Sequence, residues 1–178
     1  MDDLSDEVLM ARIQAGELSL LGLLARRYER SLFSLAMRLL GRREAAEDAF
    51  QDTFLKLFQQ RARYRPGARF RPWLYQICLN LCRDQLRRQQ RRPIADLEVE
   101  VADGGPSVEE AAEKARLSRL VAQAVEAMPE RQREVFVLAF YQQLPYAEVA
   151  AILNLPVGTV KSRMYHASRW LAERLQGL

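Results

Sequence analysis

The side chains that could do chemistry in this sequence are suited to holding a polyanion rather than to breaking a bond. Imidazole and thiol are confined to His166 and the pair Cys78 and Cys82. A tetrahedral metal set cannot be completed from these without carboxylates, so the thiols read as small, reduced core groups. No metal or other cofactor is expected. No Ser/His/Asp grouping and no phosphate-cradling glycine loop is visible, so no enzymatic activity is expected either. What recurs is arginine beside amides and aromatic rings.

The clearest case lies between Leu144 and Leu175. Its first part, about 146 to 153, carries Ala150 and Ala151 where a second helix must cross closely. Asn154 tolerates a left-handed turn, and Pro156 opens the next helix with its φ preset and its missing N–H harmless. In that helix Val160, Met164, Ala167 and Leu171 form a stripe that must face a core. The other side shows Lys161, Ser162, Tyr165, His166 and Arg169, with Thr159 at the start and Arg163 and Arg174 on the flanks. Such donors and cations suit base edges and phosphates, so the pair reads as a helix-turn-helix with its second helix in a DNA groove.

A second cluster begins at residue 63. Tyr64, Phe70 and Trp73 alternate with Arg63, Arg65, Arg69 and Arg71, a mixture that holds single-stranded nucleic acid by stacking bases on rings while cations follow the backbone. The competing reading makes Phe70 and Trp73 core residues, because large aromatics dominate cores. The helix that follows, about 70 to 91, should bury Trp73, Leu74, Ile77, Cys78, Leu81 and Cys82. Its other side presents Gln76, Asn80, Arg83 and Arg87. A third surface lies on residues 43 to 60, whose expected core stripe is Ala46, Phe50, Phe54, Leu57 and Phe58. Its outer face, Glu47, Asp48, Gln51, Asp52, Leu55 and Lys56, is too acidic for DNA and serves either protein docking or solubility.

These residues require an all-α chain. Apolar residues recur with helical spacing, and no stretch alternates with the period of a half-buried strand. Candidate helices cover about 4 to 14, 18 to 40, 43 to 60, 70 to 91, 107 to 127, 130 to 141, 146 to 153 and 156 to 175, broken at Gly16, Gly41, Arg65 to Gly67 and Pro129. Between Pro93 and Pro106 an acidic stretch with no helical stripe marks a flexible linker, so two small helical lobes are expected. The charge follows this division: residues 61 to 92 carry a net +9, 93 to 130 a net −6, and 131 to 178 a net +3. Two basic blocks flanking an acidic bridge predict two separate polyanion sites. The N-terminus is acidic where a signal peptide needs cations, and the longest apolar run, Val135 to Tyr141, is too short for a bilayer. A cytoplasmic protein without membrane insertion is expected.

EDAFQDTFLKLF, FRPWLYQICLN, RDQLRRQQRR and MPERQREVFVLAFYQQLPYAEVAAILNLPVGTVKSRMYHASRWL, in this order, closely resemble the extracytoplasmic-function group of bacterial sigma factors, within the sigma-70 family. The resemblance spans nearly the whole chain. It implies region two at 1 to 93, a linker at 94 to 111 that threads polymerase channels, and region four at 112 to 178, with no region three. Asp48, Gln51, Asp52 and Leu55 then become contacts to the clamp helices of core RNA polymerase. Tyr64, Arg69, Trp73, Gln76, Asn80, Arg83 and Arg87 become contacts to the melted minus-ten element of promoter DNA. Thr159, Lys161, Ser162, Arg163, Tyr165, His166 and Arg169 match the helix that reads the minus-thirty-five element, although Lys161 and His166 stand where members often have arginine. An anti-sigma protein is a further partner the resemblance implies. Two other readings remain at this stage: a regulator acting on duplex DNA without polymerase, which would not need the cluster at 63 to 73, and a helical adaptor, which would leave the basic blocks unexplained.

Overall fold

The first helix, α1 (Asp6–Gln14), starts where Ser5 accepts a hydrogen bond from the Val8 N–H at 3.3 Å. In the computed structural model, which describes residues 4–90 and 108–176, a 3-10 turn (Leu18–Leu20) leads into α2 (Leu21–Leu40), followed by α3 (Arg43–Gln60) and α4 (Phe70–Gln90). The second lobe comprises α5 (Val108–Glu126), α6 (Glu130–Phe136) with a π turn at Val137–Tyr141, α7 (Tyr146–Leu153) and α8 (Val157–Leu175). No strand occurs among the described residues. Most of the expected linker, up to residue 107, lies outside them.

Local chemistry accounts for the breaks. Gly41 ends α2 at φ 71°, a left-handed conformation that costs glycine little, and its N–H bonds to the Met37 carbonyl at 2.9 Å. Asn154 does the same after α7 at φ 52° and ψ 52°. Pro156 is the extended residue before α8 rather than its first helical residue, and Ala150 is buried against the neighbouring helix whereas Ala151 faces solvent.

In the first lobe Leu9, Met10, Ile13, Leu24, Leu32, Leu35, Leu57, Phe70 and Leu74 pack with no exposed surface. The α3 stripe departs from expectation. Ala45, Ala46, Ala49, Thr53 and Leu57 face the core, whereas Phe50, Phe54 and Phe58 are only half-buried along its edge. Small alanines let α2 approach α3 closely, which moves the broad rings to the flank. Thr53 is tolerated inside because its hydroxyl donates to the Ala49 carbonyl at 2.6 Å. Cys78 and Cys82 are free and buried, and Cys82 is held above the ordinary thiol range by its hydrogen bond with Cys78 and by burial. In the second lobe Val149, Ile152, Val160 and Ala167 form the seam between α7 and α8; Met164 and Leu171 lie at its edge.

The lobes do not stand apart. Their buried residues form one continuous cluster, in which α4 lies against α7 and α2 meets the π turn. Helix α4 buries Tyr75 and Leu79 beside Leu74, Ile77, Cys78, Leu81 and Cys82 of its expected stripe, whereas Trp73, also expected there, is only half-buried.

Candidate nucleic-acid interface

Helix α1 sets the position of α4. The Glu7 carboxylate accepts the N–H of Phe70 at 3.2 Å, satisfying a donor that the first turn of a helix leaves free. Gln14 donates to the carbonyls of Arg61 and Tyr64 at 2.7 and 2.9 Å, fixing the segment that carries the chain into α4. Pro72 falls in that first turn, where no N–H is needed.

The aromatic cluster divides. Phe70 is fully buried and Tyr64 nearly so, with ring centroids 6.0 Å apart, and the Tyr64 hydroxyl donates to the Ala68 carbonyl. Burial raises the Tyr64 phenol above its usual range. In this arrangement Tyr64 holds the loop and offers no free ring face. Trp73, 5.1 Å from Tyr64, is half-buried at the rim and is the only one of the three with ring surface left for a base.

Along α4, Asn80 and Arg87 are exposed and Gln76 is half-buried; Arg65 and Arg69, both exposed, lie on the loop before the helix, and exposed Arg63 ends the 3-10 turn (Arg61–Arg63) that leads into it. Arg83 is engaged. Its Nε and Nη2 donate to the two carboxylate oxygens of Glu134 in α6 at 2.5 and 2.8 Å, and its Nη1 donates to Asn80 Oδ1 at 3.3 Å. This planar, two-bonded pairing is the strong form of an arginine and carboxylate contact. Arg87 lies 3.7 Å from Asp84 and keeps two thirds of its side chain exposed. Arg71, 3.4 Å from Glu148 in α7, is the other cation of this surface that meets an acid of the second lobe.

On α8 the expected recognition face is open. Lys161, Ser162, Tyr165, His166 and Arg169 are exposed, with Thr159 and Arg163 half-buried beside them. Tyr165 is 63% exposed, its ring 5.5 Å from that of His166. Behind the face, the Trp170 indole N–H donates to the Ala124 carbonyl at 3.2 Å, tying α8 to α5. Glu173 accepts from Arg169 at 2.8 Å, and that bond raises the guanidinium pKa further.

The α3 surface is separate from both. Asp48, Gln51, Asp52 and Leu55 are all exposed, and Leu55, at 54% of its surface, is among the most exposed large apolar side chains. Beside them Lys56 is half-buried, and Arg43 binds Glu47 at 2.9 Å.

Residue-type reasoning missed Glu134, Gln142 and Glu148. All three lie in the second lobe, yet all three touch α4, where Gln142 accepts from the Tyr75 hydroxyl at 3.3 Å. A signal was present: residues 131 to 178 hold just three acids, and here Glu173 pairs within α8 while Glu134 and Glu148 turn to the other lobe.

Comparison with known proteins identifies the family. Residues 24–92 match the model of sigma-70 region 2 and residues 118–171 that of sigma-70 region 4. The chain is 30% identical to the ECF RNA polymerase sigma-E factor of Escherichia coli (strain K12) over 99% of this chain and 97% of that one. It is 28% identical to the RNA polymerase sigma-H factor of Pseudomonas aeruginosa over 97% and 95%. Among solved structures, CnrH in complex with the cytosolic domain of CnrY is similar at a TM-score of 0.76 and 28% identity, covering 97% of both chains. The sigma factor RpoE of Bartonella quintana, in complex with the anti-sigma factor NepR, follows at 0.67 and 25%, covering 83% of this chain and 91% of that one. With two region models in order and a relative at 30% identity along almost its full length, the chain belongs to the extracytoplasmic-function group of the sigma-70 family of RNA polymerase sigma factors.

Proposed function

We propose that this sigma factor divides promoter-directed initiation among three helices. Asp48, Gln51, Asp52 and Leu55 on α3 dock on core RNA polymerase. Arg69, Trp73, Gln76, Asn80, Arg83 and Arg87, supported by Tyr64 from beneath, hold the melted minus-ten strand. Thr159, Lys161, Ser162, Arg163, Tyr165, His166 and Arg169 on α8 read the minus-thirty-five duplex. The functional units are residues 1 to 93 and 112 to 178, joined by 94 to 111. The chain catalyses no reaction itself and works in the cytoplasm beside the polymerase; no described helix is long and apolar enough to cross a membrane.

The observation that carries this reading is the α8 face. It is open, cationic and hydroxyl- and imidazole-bearing, behind a left-handed Asn154 turn that sets α7 across it. Groups of this kind form hydrogen bonds to base edges and neutralise phosphates. The solved relatives bound to anti-sigma factor NepR and to CnrY support a protein partner of the same kind for this chain. Transcription from purified components, core polymerase with and without the chain on a promoter library, tests the reading. Specific start sites are expected only when the chain is present, and their absence would overturn it.

A further inference from the structure

Folding gathers positive charge where the sequence is acidic. Residues 1 to 60 hold eight basic and ten acidic side chains, yet four of the eight, Arg26, Arg27, Arg30 and Arg43, line one groove between α2 and α3. The groove encloses about 930 Å³, within the roughly 300–1,000 Å³ of small-molecule sites. None of its lining residues belongs to either proposed DNA face. Two of its cations are engaged. Arg27 donates to the Leu4 carbonyl at 2.7 Å and to Asp6 at 2.8 Å, and Arg43 binds Glu47 at 2.9 Å. Arg26 and Arg30 are exposed, lie one turn apart on α2, and pair with no acid among the described residues. Phe33 continues their row half-buried, its ring centroid 5.8 Å from the Arg43 guanidinium. From α3, half-buried Phe50 and exposed Gln51 line the same groove.

We infer that this groove binds a purine nucleoside polyphosphate: Arg26 and Arg30 take the phosphates, Phe33 and Phe50 the face of the base, and Gln51 its edge. Each part of that ligand meets a matching group. Guanidinium forks bind phosphate oxygens, aromatic rings stack on bases, and a side-chain amide pairs with the edge of adenine. The rim selects for size. Glu29 and Glu47 line the groove, and Asp48 and Asp52 are exposed beside Gln51 on α3. A long strand or a carboxylate-rich peptide running out of the groove meets like charge there, whereas a compact anion ends inside it. Because Gln51 also belongs to the docking face proposed for α3, an occupied groove competes with polymerase. That consequence rests on the docking reading; the site itself does not.

Titration calorimetry of the full chain at fixed salt tests the site, with ATP, inorganic tripolyphosphate and an octaglutamate peptide as probes. The unaltered chain is compared with Arg26→Gln plus Arg30→Gln, with Phe33→Leu, and with Arg63→Gln plus Arg65→Gln. The last pair makes the same charge change at two exposed positions before α4. The unaltered chain should bind ATP about tenfold more tightly than tripolyphosphate, the share of one stacked base. R26Q/R30Q should bind ATP roughly tenfold more weakly, through the loss of charge-assisted hydrogen bonds, and R63Q/R65Q should lose much less. F33L should weaken ATP and leave tripolyphosphate unchanged. Equal affinity for ATP and tripolyphosphate, equal losses in the two arginine pairs, or an F33L that weakens both probes alike or neither would each overturn the site. Tighter binding of octaglutamate than of ATP would overturn it in favour of an acidic peptide. Added ATP should then lower co-elution with core polymerase more for the unaltered chain than for R26Q/R30Q. ATP binding in the groove without that effect would count against α3 as the docking helix and not against the site.

Discussion

At the level of single residues, Asn154 fixes how α7 and α8 meet. Its backbone is left-handed, and the Leu155 N–H reaches back to the Ala150 carbonyl at 2.9 Å. A β-branched side chain is strained there, so Asn154→Val should cost about 1–2 kcal/mol, while Asn154→Gly should cost much less; urea denaturation checks both. Leu55 makes a different point. An apolar side chain that exposed contributes little to folding but much to a partner that covers it. Leu55→Arg should therefore leave helicity and stability unchanged and abolish co-elution with core polymerase. Normal co-elution of a folded L55R would remove α3 as the docking helix.

At the level of elements, most boundaries were legible in the sequence because their causes are local. Gly41 and Asn154 mark ends that follow from a left-handed backbone, and Pro129 one that follows from a fixed φ and a missing N–H; the expected 43 to 60 and 146 to 153 helices coincide with α3 and α7. Which α3 residues enter the core was only partly legible. Spacing nominated Ala46 and Leu57, which are buried, but also Phe50, Phe54 and Phe58, in whose place the close approach of α2 selects Ala45, Ala49 and Thr53. Leu57→Ala should accordingly cost about 2–5 kcal/mol, and Phe54→Ala less despite the larger side chain removed. Chemical denaturation ranks the two. On α4 the cations were legible, but their partners lie in another lobe. If exposed Arg87 contacts a strand phosphate, Arg87→Ala should flatten the dependence of log affinity on log salt by about 0.7, the share of one single-strand phosphate. An unchanged slope would remove Arg87 from the track.

At the level of the whole molecule, two lobes and two basic blocks were readable from charge and from the acidic stretch between prolines. Their mutual packing was not, since the bond between Arg83 and Glu134 spans 51 positions and no local pattern announces it. Tyr75, outside the expected stripe, is buried beside Tyr28 of its own lobe and bonds across to Gln142. The two proposed DNA-reading faces of the chain are separable by experiment. The direct measurement is sequencing of transcripts made by core polymerase on a library randomised at both promoter elements, with the unaltered chain, a Lys161→Ala and His166→Ala double variant, and Arg87→Ala. The double variant should change base preference at the upstream element alone, each lost base contact weakening discrimination by about 1–3 kcal/mol, and R87A should lower output at the downstream element without altering upstream preference. Upstream preference unmoved by the double variant, or shifted by R87A, would contradict the division of labour between α8 and α4.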